Sequence, residues 1–233
     1  MGRHFEVRAA SMAKTAKAKS AVYMRASKEI YIAAKKGPDP ESNLALRAAI
    51  DKYRKTCPKD VIERAIKKAQ GGESTNYLEG RYEAFGPGGS LLIIDTLTDN
   101  TNRALISVRT ALTRKGGKLG SVAYNFAQSG LMDFKFDGTE EALEEALVLG
   151  DVDVKEINLS DGEAEVVVAP NDLDKAQTAL KDLGVTEYDY CQSTLLANEK
   201  VTLDGDDKKK FDDLLSDLDE IEDVQSVYHN VNL

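Results

Sequence analysis

The sequence predicts an α+β protein, with an N-terminal three-helix module followed by two ferredoxin-like α+β domains, one inserted in the other. Three patterns carry that prediction. Apolar residues recur at helical spacing through the first third of the chain. From Tyr82 the period changes, and short apolar strands alternate with helices. Residues 131–196 then spell a complete β-α-β-β-α-β string, and removing it leaves β-α-β twice in the flanks. The expected domains are a basic helical domain over 1–75, a split α+β domain over 76–129 plus 200–233, and an inserted domain over 130–199.

The first helix spans Ser20 to Lys36, with Val22, Ala26, Ile30 and Ala33 along one stripe, and Gly37-Pro38 stops it. Asp39-Pro40-Glu41 starts the second helix as an N-cap, a first-turn proline and an acid near the positive dipole end. Its stripe is Leu46, Ala49, Ile50 and Tyr53. Cys57-Pro58 breaks it and opens a third helix buried through Val61, Ile62, Ala65, Ile66 and Ala69, with Asp60/Arg64 and Glu63/Lys67 paired outside. Gly71-Gly72 ends this helix as a left-handed cap, and a flexible linker follows. Next come a strand at 90–96, a helix at 100–115 and a strand at 121–126. The inserted string reads 131–136, 140–149, 152–159, 164–169, 173–183 and 187–196, with Asp161-Gly162 as its hairpin turn. A strand at 201–203, a helix at 207–221 and a strand at 224–231 close the chain.

Composition narrows function. The 233 residues carry a net charge of −9, but the charge is segregated. Residues 1–75 hold 17 Lys/Arg against 8 Asp/Glu, whereas residues 136–233 hold 7 against 27. A cationic module attached to an acidic remainder implies a face that attracts polyanions. No apolar run reaches the roughly 18–20 residues of a membrane span, and a cytoplasmic location is expected. Residues 1–20 are basic and poor in acids, as a mitochondrial presequence would be, but the basic character continues into the helices behind them. Cys57 and Cys191 match no metal or redox spacing and read as reduced thiols.

Several segments could carry chemistry. Tyr82–Gly89 is glycine-rich, yet it precedes a strand and lacks the closing Lys-Ser/Thr of a phosphate loop, so it reads as a tight turn. Arg114-Lys115-Gly116-Gly117-Lys118-Leu119-Gly120-Ser121 joins a helix to a strand with three cations and three glycines. Either its amides and ammonium groups approach phosphates together, or it is a glycine C-cap with solubilising lysines. His4 and His229 have no partners at metal spacing, and no serine–histidine pair is fixed, so neither catalysis nor a cofactor is expected. The acidic run from Asp212 to Asp223 reads as a solvated helix face.

Taken together these segments resemble the YebC/PmpR family of bacterial proteins, which includes a mitochondrial translational activator. The resemblance runs end to end. It rests on Met1-Gly2-Arg3, Glu29-Ile30-Tyr31, Pro38–Asn43, Tyr82-Glu83 with Phe85–Gly89, Leu97–Asn100 with Asn102-Arg103, Lys115–Gly117, Ser121–Tyr124 with Phe126, and Val227–Val231. The shorter branch beginning Gly-Arg is the more similar one. Phe5, Ala84, the direct junction of Gly120 with Ser121 and the lysine-poor Ser11-Met12-Ala13 depart from the usual pattern. The resemblance implies three domains and a non-enzymatic regulator of gene expression, either a DNA-binding transcriptional regulator or a ribosome-associated factor that relieves stalled peptide synthesis.

The leading expectation is a nucleic-acid-binding regulator with weak sequence preference, because no helix offers an evident set of base-reading side chains. Arg3, Lys14, Lys17, Lys19, Arg25, Lys28, Lys35 and Lys36 of the helical module are its candidate phosphate contacts. Arg114, Lys115 and Lys118 of the glycine-rich segment join them. The alternative places the same cations on ribosomal RNA. A small-molecule sensor is a third class, with fold analogy as its warrant.

Overall fold

The structure is a computed structural model that describes residues 16–71 and 75–232, with side chains described from residue 19 onward. The fold is α+β, with helices leading and sheet-bearing domains behind, as the sequence predicts. Among the described residues, Tyr124–Lys200 forms one compact unit, and the helical segment with the flanks up to Ala123 and Val201–Val231 forms a second.

The helical segment holds α1 (Ala16–Ala34), α2 (Leu44–Tyr53) and α3 (Lys59–Gln70). Val22, Ala26, Ile30 and Ala33 pack against Leu46, Ala49, Tyr53, Ile62 and Ala65, so the predicted stripes meet in one core. The start of α2 differs from expectation. Its N-cap is Asn43, whose side-chain oxygen accepts from the Leu46 N–H at 3.1 Å. The Asn43 amide also donates to the carbonyls of Ala33 at 2.8 Å and Gly37 at 2.7 Å. Asp39 instead closes a turn by accepting from the N–H groups of Ser42 and Asn43. An asparagine that caps one helix while holding the end of another outcompetes the aspartate four residues earlier. Asp60 and Arg64 pair at 2.6 Å, whereas Glu63 meets Lys59 at 3.5 Å. Gly71 caps α3 with φ −87°, its N–H donating to the Lys68 carbonyl, while Gly72, the second residue of the expected left-handed cap, and most of the predicted linker lie outside the described residues.

The split flanks form a four-stranded antiparallel sheet of β1 (Leu78–Phe85), β2 (Leu91–Thr98), β3 (Lys118–Leu119) and β9 (Val224–His229), in the order β3-β1-β2-β9. Two helices accompany it. α4 (Thr101–Arg114) buries Ala104, Val108, Ala111 and Leu112, and α7 (Gly205–Asp219) buries Phe211, Leu214, Leu215 and Leu218. This differs from the expected β-α-β pair. β1 is a strand where the sequence suggested only a turn motif, and it pairs with β2 as a hairpin. The expected strand at 121–126 is absent from this sheet. The Glu83 carboxylate accepts the N–H groups of Val122 at 2.6 Å and Ala123 at 2.7 Å, and a 3-10 turn at Ala123–Asn125 follows. β8 (Val201–Thr202) pairs with β10 (Val231–Asn232) in a separate ribbon.

The inserted unit contains β4 (Phe126–Lys135), α5 (Glu140–Leu149), β5 (Val154–Ser160), β6 (Glu163–Val168), α6 (Leu173–Lys181) and β7 (Tyr190–Ala197). Its antiparallel order, β5-β6-β4-β7, is ferredoxin-like. Asp161 and Gly162 both take positive φ, at 52° and 78°, as a two-residue Asp-Gly hairpin requires. Met132, Phe134, Leu143, Leu147, Val166 and Leu180 fill its core.

Candidate nucleic-acid interface

Helix α1 is buried on two faces. The Val22/Ala26/Ile30/Ala33 stripe faces the other helices, and a second stripe of Ala21, Arg25 and Lys28 is buried as well. Arg25 is 7% exposed and Lys28 is 4% exposed. The Lys28 ammonium donates to the Leu97 carbonyl at 3.1 Å, the Glu222 carbonyl at 2.9 Å and Asp223 Oδ1 at 2.8 Å. Three donors meet three acceptors, so this cation is saturated. Arg25 Nη1 donates to Asp219 Oδ1 at 2.7 Å, and its Nη2 donates to the carbonyl of the same residue. That contact also sets a cation against the negative end of α7.

These bonds correct the sequence reading: Arg25 and Lys28 are not surface phosphate contacts. They dock α1 against the split sheet. Arg103 completes the cluster by gripping Asp223 with two nitrogens, at 2.8 and 2.9 Å, and Asp99 at 2.8 Å. Burial pushes the Asp223 carboxyl up, but Arg103 and Lys28 outweigh it and hold it below its ordinary range. Asp219 shows the opposite balance: burial raises it and Arg25 offsets only part of the rise. The acidic run is therefore more than a solvated face, since Asp219 and Asp223 are the counter-ions of the buried Arg25 and Lys28.

The remaining candidates divide. Arg3 and Lys14 lie outside the described residues, as does the side chain of Lys17. Lys19, Lys35 and Lys36 are exposed. Lys35 Nζ lies 5.2 Å from the centre of the Tyr31 ring, and Lys68 Nζ lies 5.7 Å from the same centre. Two ammonium groups thus flank one aromatic ring, with Lys36 next in the chain. The Tyr31 oxygen accepts from the Thr75 N–H at 3.0 Å, and the ring meets Tyr77 edge-on at 5.7 Å between centroids. Burial acts to raise the Tyr31 hydroxyl pKa, but the Thr75 bond and Lys35 outweigh it, and the net direction is down. Sequence reasoning missed Lys68. Its signal was present, because Tyr31 and Lys35 are one helical turn apart and Lys67-Lys68 end a neighbouring helix.

In the glycine-rich segment the structure takes the C-cap alternative. Gly116 has φ +82°, and its N–H donates to the Thr113 carbonyl. The Gly117 N–H donates to the Leu112 carbonyl and that of Gly120 to the Glu83 carbonyl. These amides are spent on the fold and form no phosphate nest. A Cβ on Gly117 would sit 2.7 Å from the Phe85 carbonyl oxygen, so the glycine lets β3 approach β1. Lys115 pairs with Asp213 at 3.0 Å and ties α4 to α7. Lys118 is exposed above the Phe85 ring at 5.8 Å, and Arg114 is exposed at the end of α4.

Other sequence candidates have structural roles. Pro87–Gly89 is a 3-10 turn closed by the Ser90 N–H on the Pro87 carbonyl. His229 meets Phe211 edge-on at 5.2 Å, and its Nδ1 accepts from the Val231 N–H. Cys57 and Cys191 are free thiols, each pushed up by burial. Among the described residues no helix is long and apolar enough to cross a membrane, and no cluster of His, Cys, Asp or Glu is placed to hold a metal ion.

Helices lead a sheet-bearing part that carries a ferredoxin-like insertion, and comparison with known proteins identifies the class of protein to which this arrangement belongs. The family model of the TACO1/YebC N-terminal domain matches residues 3–72, and that of the TACO1/YebC second and third domain matches residues 77–231. The chain belongs to the TACO1/YebC family. It is also similar to the crystal structure of a conserved hypothetical protein, Aq1575, from Aquifex aeolicus. The TM-score is 0.74 at 31% identity, covering 91% of this chain and 90% of that one.

Proposed function

We propose that the chain is a non-enzymatic, nucleic-acid-binding regulator of gene expression that grips duplex DNA through the sugar–phosphate backbone with little sequence preference. The observation that carries this reading is the pair of ammonium groups, Lys35 and Lys68, flanking Tyr31 beside exposed Lys36. Closely spaced cations at converging helix ends suit adjacent phosphates. Weak sequence preference fits the burial of α1 on two faces, which leaves only a narrow described stripe around exposed Met24 to approach a major groove. Membership of a regulator-type family supports the same reading.

Anisotropy titrations of random and promoter duplexes across a range of salt test it. Comparable affinities are expected. A triple Lys35→Gln, Lys36→Gln, Lys68→Gln variant should lower the log–log salt slope by roughly 2–3, at about 0.9 per lost phosphate contact. An unchanged slope, or a sharp footprint on one sequence, overturns the proposal.

The same feature, the narrow free side of α1, favours ribosomal RNA as a second reading, because RNA is recognised by shape and 2′-hydroxyl contacts. Sucrose-gradient sedimentation separates the two: a translation factor travels with ribosomes, and a DNA regulator does not.

A further inference from the structure

We infer that the outer helical face of the inserted domain is a docking surface for a basic amphipathic helix of a partner protein. A groove of about 550 Å³ runs between α5 and α6. Its floor is built of Ala142, Ala146 and Ala179, whose methyl groups allow a second helix to approach closely. Large apolar side chains stand at its end instead of covering it. Leu149, in the last turn of α5, is 80% exposed, and Leu183, just beyond α6 on the opposite wall, is 36% exposed. Exposed apolar residues clustered at the mouth of an unfilled groove mark an interaction site more often than chance exposure does.

Charge specifies the occupant. α5 carries Glu140, Glu141, Glu144 and Glu145 and no basic residue, so the negative end of its dipole also lacks a cation. Asp182 lies at the far side of the groove. α6 supplies Lys175 and Lys181, but Lys175 is engaged by Asp151 at 3.3 Å and Asp172 at 3.4 Å, which together raise its pKa. Glu145 and Asp182 line the groove, and Glu140, Glu141 and Glu144 add negative charge along the rest of α5, so the apolar floor has an acidic margin that fits a helix with an apolar face flanked by Lys or Arg. A second copy of this chain would set one glutamate row against another, and nucleic acid would be repelled by both.

The probe is a synthetic amphipathic helix with leucines on one face and lysines on the other, added to the full ¹⁵N-labelled chain. Amide shifts are expected within residues 140–150 and 173–184, and a peptide with glutamates in place of the lysines should not bind. Leu149→Gln is safe for folding, since the side chain is exposed, and should weaken binding about tenfold, the ordinary loss for a truncated anchor residue. Glu141→Lys with Glu145→Lys should weaken it by a similar factor. Shifts centred on α7, or unchanged affinity in Leu149→Gln, overturn the inference. So does sedimentation showing that wild type self-associates and Leu149→Gln does not, because the groove would then be a homodimer contact.

Discussion

Replacing Lys28 with methionine tests whether a buried ion cluster holds α1 against the split sheet. Methionine preserves the stem and deletes the ammonium, which leaves the carbonyls of Leu97 and Glu222 and one oxygen of Asp223 without their donor. Removing one member of a buried pair costs about 3–5 kcal/mol. Asp223 keeps its two-pronged contact with Arg103, so the low end applies: about 3 kcal/mol, or roughly a hundredfold in the opening equilibrium. Native-state hydrogen exchange reads this directly. Amides of α1 between Ala26 and Ala34 should exchange roughly a hundredfold faster, while those of α5 in the inserted unit keep their protection. Lys36→Ala, at an exposed position, should change exchange little, because surface substitutions generally stay within about 0.5 kcal/mol. Acceleration of less than about threefold in Lys28→Met, or a uniform rise across the whole chain, would refute the assignment of Lys28 to docking.

Four further outcomes follow from the structure. Asp223 has a lowered carboxyl pKa in the folded state, so its stabilisation is present above the unfolded value of about 3.9 and is lost as pH falls through the folded value. Urea midpoints of wild type should therefore drop in that acidic window, and Asp223→Asn should lack that component of the drop. Asp219 is raised, so its protonation has the opposite sign: acidification through its folded value favours the folded state, and Asp219→Asn should remove that gain. Asn43→Ala deletes two donated bonds and one cap, and a loss of about 2–3 kcal/mol in chemical denaturation is expected. Gly117→Ala should lower the thermal midpoint more than Gly116→Ala. The first drives a methyl into the Phe85 carbonyl, whereas the second meets open space and costs only about 1–2 kcal/mol of left-handed strain.

Periodicity made the helices and the ferredoxin-like insertion legible, because each buries one stripe or face and the Asp161-Gly162 turn has a local signature. β1 was not legible for the complementary reason. In Leu78–Phe85 only Ala84 is buried, so the strand carries almost no apolar alternation and is fixed by its partners, including the Arg81–Asp95 cross-strand pair at 2.6 Å. Residues 121–126 alternate like a strand, yet one distant carboxylate, Glu83, takes two of their backbone N–H groups. The candidate site divided along similar lines. Lys35 and Lys36 were readable as exposed cations at the end of a helix. Arg25 and Lys28 were not readable as buried, because a helix with one evident apolar stripe gives no sign that a second face is covered by residues near the other end of the chain.

That separation bears on synthesis. Lys28 and Asp223 are 195 positions apart, and Arg25 and Asp219 are 194 apart. Chains emerge from the N-terminus, and early domains fold while later ones are still unmade. The helical module is thus translated with Arg25 and Lys28 uncovered, and their counter-ions follow 194 and 195 positions later. A chain that stops short of α7 retains two cations that the finished molecule hides, so incomplete products should adhere to polyanions more strongly than the full-length protein does.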